Sequence, residues 1–292
     1  MKSPLDIVKL TALMERTRGR PEIMVGLIDG PVMMNHPDLM SENIHEVPGK
    51  SGACAKANSA ACMHGTFVAG MLSAKRNSSA PAICPDCTLL VHPIFAETPE
   101  SGQMPSATPE ELAKAVIETI DAGARVMNLS VALALPSSKG ERELEEALDY
   151  AAKRGVIAVA ASGNQGTIGS SAITRHPWII PVVACDNQGR PISLSNLGSS
   201  IGRQGLCAPG DDITSLGAEG KPLTFGGTSV AAPFVTGAIA LLWSAFPDAT
   251  AAEIKLAVIQ SHVQRRITVV PPLLDAWAAY QAIAKTHSQM RM

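Results

Sequence analysis

Residues 23–31 read IMVGLIDGP: an unbroken apolar run, then an acid, then Gly-Pro. A continuous run is what a strand covered on both faces requires, whereas a half-exposed strand alternates apolar and polar residues. Gly30-Pro31 ends the run, because glycine permits a sharp turn and proline has no N–H to give to a ladder. The stretch therefore sets one carboxylate, Asp29, at the carboxyl end of a buried strand. LLVHPIF (89–95), RVMNLSV (125–131), VIAVAAS (156–162) and IIPVVAC (179–185) are built alike. Between them lie helical patterns at 64–74, 109–122 and 141–153, the last with Leu144, Leu148 and Ala151 on one face and acids on the other. Three more helices are expected at 229–246, 251–260 and 273–284. Strands alternating with helices predict an α/β fold, a mostly parallel β-sheet flanked by helices on both faces in three layers. In such folds the chemistry gathers at the carboxyl ends of the strands.

The 292 residues suit one large domain. Hydrophobic residues make up 46% and charged residues 17%, enough for a large core and too apolar for disorder. Aromatics are 3%, so the core is built from Ala, Val, Ile, Leu and Met. The net charge of −2, with no run of Lys and Arg, argues against a nucleic-acid partner. At the start, MKSPLDIVKLTALMERTRG carries Leu5, Val8, Leu10, Leu13 and Met14 at helical spacing, without the apolar stretch and cleavage site of a signal peptide. Residues 1–20 thus read as a helical segment ahead of a single domain at 21–292. No membrane span is expected, since no run of about 18 apolar residues occurs anywhere, and the chain reads as cytoplasmic. Nothing in the sequence speaks to oligomeric state.

Six cysteines fall as Cys54 with Cys62, Cys84 with Cys87 in CPDC, and the single Cys185 and Cys207. The four paired residues admit three readings: local disulfides, free thiols, or a four-thiolate zinc site with Cys-x-x-Cys spacing in its second half only. Cys185 and Cys207 read as small core residues. No acidic loop commits the chain to calcium, and no cofactor or catalytic metal is expected.

Three segments carry candidate chemistry. IDGPVMMNHPDL holds Asp29 at a strand end, CMHGTFVAGML opens a helix with His64, and FGGTSVAAPFVTG (225–237) opens another with Ser229. A serine there can be a plain N-cap. It can also be a nucleophile, if a base within reach takes its proton and a carboxylate fixes the tautomer of that base. A fourth segment, SGNQG (162–166), follows a buried strand, and Asn164 there can aim its amide at the oxyanion that the Ser229 N–H meets. Each residue has a plainer reading: His64 as a polar helix-start residue, Asp29 as a turn former, Asn164 as a left-handed turn residue. His36, His92 and His176 stand beside prolines and read as surface or packing residues.

Taken in order, IDGPVMMNHPDL, HGTFVAG, VMNLS, ASGNQG and GTSVAAPFVTG resemble the acid, histidine, substrate-strand, oxyanion and serine motifs of the subtilisin-like serine proteases, across most of residues 22–243. LLDAWAAYQA resembles the family's last helix. The order acid, histidine, serine is the one known for subtilisins. The resemblance implies the subtilisin-like fold and an endopeptidase acting on peptide or protein chains. In it Asp29 orients His64, His64 is general base and then acid, Ser229 attacks the carbonyl, and Asn164 with the Ser229 amide stabilises the tetrahedral intermediate. It also implies that Asn128, Leu129, Ser130, Val131 and Ala132 pair with an extended substrate. Ala132 and Ser162-Gly163 would wall the side chain before the cut.

The chain departs from the family in places. Gly30-Pro31 follows the acid where members usually have Ser or Thr, which removes one hydroxyl partner of the carboxylate. Ser130-Val131-Ala132-Leu133 stands for the usual Ser-Leu-Gly-Gly. The Asp-Gly-Pro-Val wording, with a cysteine just before the histidine motif, is similar to the cyanobactin-maturation (patellamide-type) proteases. Competing readings are a transpeptidase or macrocyclase on the same acyl-enzyme, disfavoured because no long insertion flanks His64, and an inactive peptide-binding module, disfavoured because all four residues are present. An α/β-hydrolase would need Gly-x-Ser-x-Gly, and position 231 is Ala.

Overall fold

A computed structural model describes residues 3–48, 52–97, 106–131, 141–260 and 268–289. The chain runs α1 (Pro4–Ile7), α2 (Leu10–Met14), β1 (Met24–Asp29), β2 (Ile44–Glu46), α3 (Ala60–Ser73), β3 (Thr88–Pro93), α4 (Pro109–Asp121), β4 (Val126–Leu129), α5 (Glu141–Arg154) and β5 (Ile157–Ala161). It continues with α6 (Ala172–Arg175), β6 (Ile179–Cys185), α7 (Ser199–Gln204), β7 (Leu206–Pro209), β8 (Ile213–Ser215), β9 (Leu223–Phe225), α8 (Thr228–Ala245), α9 (Ala251–Gln260) and α10 (Ala276–Gln289).

Seven strands pair in the order β2-β3-β1-β4-β5-β6-β7, every pair parallel. Side chains alternate across each strand and so feed two cores. Val25, Leu27, Val126, Ile157 and Val159 join Leu13 of α2, Phe67 of α3 and Trp243 of α8 on one face. Ile28, Met127, Leu129, Ala158 and Ala160 join Val116 of α4 and Leu148 of α5 on the other. This is the expected α/β sandwich, with apolar strands buried on both sides. The path from β1 through α3 leads to β3 on one side, while β4 lies on the other side of β1. Such a divergence opens a crevice at the carboxyl ends of the strands, where Asp29 stands.

The amino-terminal segment is broken at Lys9, whose φ of 54° is left-handed, and the two short helices it separates lie against the main core. Val8, Leu10 and Leu13 are fully buried, and Ala276 N–H donates to the Val8 carbonyl. The expectation of no apolar span needs correction. Helix α8 is long and apolar enough to cross a membrane by length and composition, but 89% of that window is buried inside the protein. Its hydrophobicity is used by the core.

Candidate active site

Asp29 is the last residue of β1 and is fully buried. Its Oδ1 accepts from the Gly30 N–H at 2.6 Å and faces His64 Nδ1 at 2.7 Å. An ionised carboxylate only accepts, so Nδ1 carries the proton and Nε2 is left as the acceptor. Nε2 lies 3.0 Å from Ser229 Oγ. The Phe225 ring stacks over His64 with centroids 6.4 Å apart. Burial acts to lower the pKa of His64, but the charge of Asp29 and the hydrogen bond to it outweigh that, so the imidazole titrates above its ordinary 6.5. Asp29, His64 and Ser229 are therefore brought together as their motifs suggested.

His64 does not open its helix. Helix α3 begins four residues earlier, where Ser59 Oγ caps the Cys62 N–H at 3.1 Å. That extra turn explains the glycine after the acid. A Cβ on Gly30 would stand 2.0 Å from the Ala61 carbonyl oxygen, and one on Gly65 would stand 2.4 Å from the carbonyl oxygens of Gly30 and Pro31. The strand end and the histidine helix thus meet backbone to backbone. The consequence is that Asp29 Oδ2 has no hydrogen-bond partner among the described residues. Gly30→Ser would bring back the missing hydroxyl, yet it should destabilise, because overpacking costs about 1–3 kcal/mol even where side chains can yield and here the obstacle is main chain. Thermal unfolding should show a lower midpoint for the serine variant; an equal or higher midpoint would show that the contact is soft.

Cys54 and Cys62 form a disulfide, with Cα atoms 5.6 Å apart. Val32 donates to the Gly52 carbonyl and accepts from the Cys54 N–H, so the bridge ties the strip that runs beside the acid loop to the histidine helix. Thr66 Oγ1, 3.9 Å from both sulfurs, accepts from the Met33 N–H of the same loop. Glu97 braces the outer side, accepting from the Ala55 and Lys56 N–H groups. Cys84 and Cys87 are free thiols buried elsewhere, with Cys87 Sγ beside Ser244 Oγ. The mutual hydrogen bond pushes the Cys84 thiol up and draws Cys87 down. The four cysteines therefore do not converge on a zinc site. Burial pushes Cys185 up to about 12 and raises Cys207 as well, as befits core residues.

Ser229 is the second residue of α8, and the cap position falls on Gly227, not on the serine. Gly227 has a φ of 123°, which only glycine holds easily, and a Cβ there would stand 3.0 Å from Asn164 Nδ2. At the start of a helix the Ser229 N–H has no carbonyl one turn back to bond. Asn164 Oδ1 accepts from the Thr228 N–H and the Thr228 hydroxyl, both at 2.9 Å. A backbone N–H can only donate, so the amide oxygen is fixed at that point and Nδ2 is the donating end. The left-handed turn reading fails, since Lys9, Ala82 and Asp212 are the non-glycine residues of positive φ and the turn falls to Gly163 and Gly166.

The substrate strand needs a correction. Asn128 and Leu129 are paired with β1 on one side and β5 on the other, which leaves their backbone no free edge. Asn128 instead donates from Nδ2 to Ser130 Oγ and accepts from the Thr236 hydroxyl, fastening β4 to α8. Ser130 and Val131 follow the strand end, and Ala132 lies outside the described residues. Ser162, after β5, is buried, and its hydroxyl has no hydrogen-bond partner among the described residues; it stands next to Gly163 at a φ of 105°. His92, His176 and His36 bond instead to Glu118, Asp149 and the Asp38 N–H, as packing residues do. Sequence reasoning missed Thr228 and Phe225, though both flank the serine in the quoted motif.

The Subtilase family model matches residues 20–277. The chain belongs to the subtilase family. Subtilisin amylosacchariticus of Bacillus subtilis subsp. amylosacchariticus is 30% identical over 254 residues, 85% of this chain and 62% of that protein. This subtilase thus spans less than two thirds of the length of that relative. Among solved structures, a mutant of the protease domain of PatA is similar at a TM-score of 0.84 and 28% identity, covering 92% of this chain and 97% of that one. Prenylagaramide maturation protease PagA is similar at a TM-score of 0.82 and 28% identity, covering 94% and 98%. The subtilase thus shares its architecture with PatA's protease domain and with the maturation protease PagA.

Proposed function

We propose that the chain is a serine endopeptidase that cleaves peptide or protein precursors through an acyl-enzyme. The hydrogen-bonded line from Asp29 through His64 to Ser229 carries this reading. Ser229 Oγ attacks the scissile carbonyl while His64 Nε2 takes its proton, and Asp29 holds the resulting imidazolium. The oxyanion accepts from the Ser229 N–H and Asn164 Nδ2. His64 then gives the proton to the leaving amine, and water, activated by the same imidazole, releases the acid. Precursor peptides are the proposed substrates because PagA and PatA are both described as maturation proteases. The test is labelling of Ser229 by a fluorophosphonate, followed by mass analysis of peptide products with and without an added amine. A hydrolysed product supports the reading, an unlabelled Ser229 overturns it, and capture of the amine reassigns the chain to peptide transfer.

Only the neutral imidazole accepts a proton, so the rate should rise with pH and level off once His64 is deprotonated. Because the Asp29 charge holds the imidazolium, the midpoint of kcat/KM should lie above 6.5. A midpoint below that value, or a rate falling through neutrality, would contradict His64 as base.

A further inference from the structure

Asn164 stands on an exposed loop, residues 164–169, that has little apolar packing of its own. An oxyanion donor must nevertheless be held in place before the reaction, or its reorientation is charged against the transition state. Thr228 grips the side chain from one side. The loop backbone is gripped from the other by Asn196, 31 positions after Gln165 in sequence. Asn196 N–H donates to the Gly163 carbonyl at 2.9 Å, on one flank of Asn164. On the other flank its Oδ1 receives the Gln165 N–H, the Thr167 N–H and the Thr167 hydroxyl, each at 3.1 Å, while Nδ2 donates to Gln165 Oε1 at 2.6 Å. Asn196 thus spends its backbone N–H and both ends of its amide on the residues that bracket Asn164. Its own base is rigid: neighbouring Ser195 is buried, and its hydroxyl bonds both the N–H and the carbonyl of Ala184 in β6. Gly163 is fitted to this arrangement, since a Cβ there would meet Asn196 Nδ2 at 2.2 Å.

We propose that Asn196 is a positioning residue for the oxyanion hole, transmitting the rigidity of β6 to the amide of Asn164. It touches neither the nucleophile nor the base, and it acts only through the loop it clamps. The inference rests on the reading of Asn164 as an oxyanion donor. Its specific consequence is dependence: without the Asn164 amide there is nothing left for Asn196 to position.

The experiment is a double-mutant cycle on the full chain, measuring kcat and KM on a chromogenic peptide and affinity for a peptide boronate whose adduct with Ser229 places an oxygen in the hole. Asn196→Ala should lower kcat about 10- to 100-fold, as expected for a donor displaced by an ångström or less, with KM changed little and boronate affinity reduced alongside kcat. Combined with Asn164→Ala, it should add less than a further twofold loss. Thr167→Val, which removes one of the three donors from an exposed position, should give a smaller loss of the same dependence and keeps the test open if Asn196→Ala fails to fold. Unchanged kcat in both variants overturns the proposal, as does an equal loss with and without the Asn164 amide, the mark of a general structural role. If Asn164→Ala alone leaves kcat unchanged, the oxyanion reading falls and this one with it.

Discussion

Ser229→Ala is expected to reduce peptide cleavage to background while the fold survives. The structural side of this expectation is local. Ser229 occupies the second position of α8 and does not serve as its cap, so alanine, the best helix former, replaces it at no cost to the helix. The bond it gives up is the one between Oγ and His64 Nε2. The catalytic side is large, because Ser229 Oγ is the hydroxyl set beside His64 Nε2. Losses of about 10⁶ in kcat follow removal of the serine in subtilisin, and that magnitude is carried over by family membership rather than derived from this geometry. Purified Ser229→Ala protein should unfold at nearly the native temperature and turn over no peptide. Residual cleavage within a hundredfold of the native rate would remove Ser229 from the mechanism.

Asp29→Asn should also cost heavily, through the exchange of one oxygen for an NH₂ group. The aspartate accepts two hydrogen bonds on one oxygen, from the Gly30 N–H and His64 Nδ1. An asparagine has two ways to sit. With its carbonyl oxygen in the Oδ1 position it buries an NH₂ where Oδ2 now has no partner, leaving donors unpaired. Turned over, it points that NH₂ at the Gly30 N–H and forces Nδ1 to become the acceptor, so Nε2 carries the proton and cannot receive one from Ser229. Neither arrangement holds an imidazolium without a carboxylate. The expected loss in kcat is about 10⁴, the size known for this exchange in serine-protease triads, and raising the pH should recover part of it as hydroxide takes over the base's role. A variant within tenfold of native would mean that Asp29 serves only the turn.

The core of the fold was legible because its signal is redundant. Five strands are continuous apolar runs, and each lies within a few residues of its expected bounds. The strands that escaped notice give no such signal. Strand β2 exposes His45 and Glu46 at the sheet edge, β7 is four residues ending in proline, and the β8–β9 pair consists of three-residue strands. The early start of α3 was written in Ser59, a capping residue followed by small helix formers, but the motif around His64 drew the boundary to itself. At the site, the residues proposed to do chemistry stand in recognisable motifs, whereas those that hold them do not. Thr228 and Asn196 act through hydrogen bonds that exist only once distant loops meet, and no local pattern marks them. Asn128 was misread for a related reason: its motif fixes its neighbourhood, but only the pairing on both sides shows that it faces a helix instead of a peptide.

The first turn of α3 sets a limit on redesign. Because the Ala61 carbonyl occupies the space that a side chain after the acid would need, residue 30 and the start of the histidine helix are coupled in this chain. A hydroxyl placed at position 30 beside the buried carboxylate meets main chain unless the opening turn of α3 moves with it, so the acid loop and the histidine helix have to be redesigned as one unit.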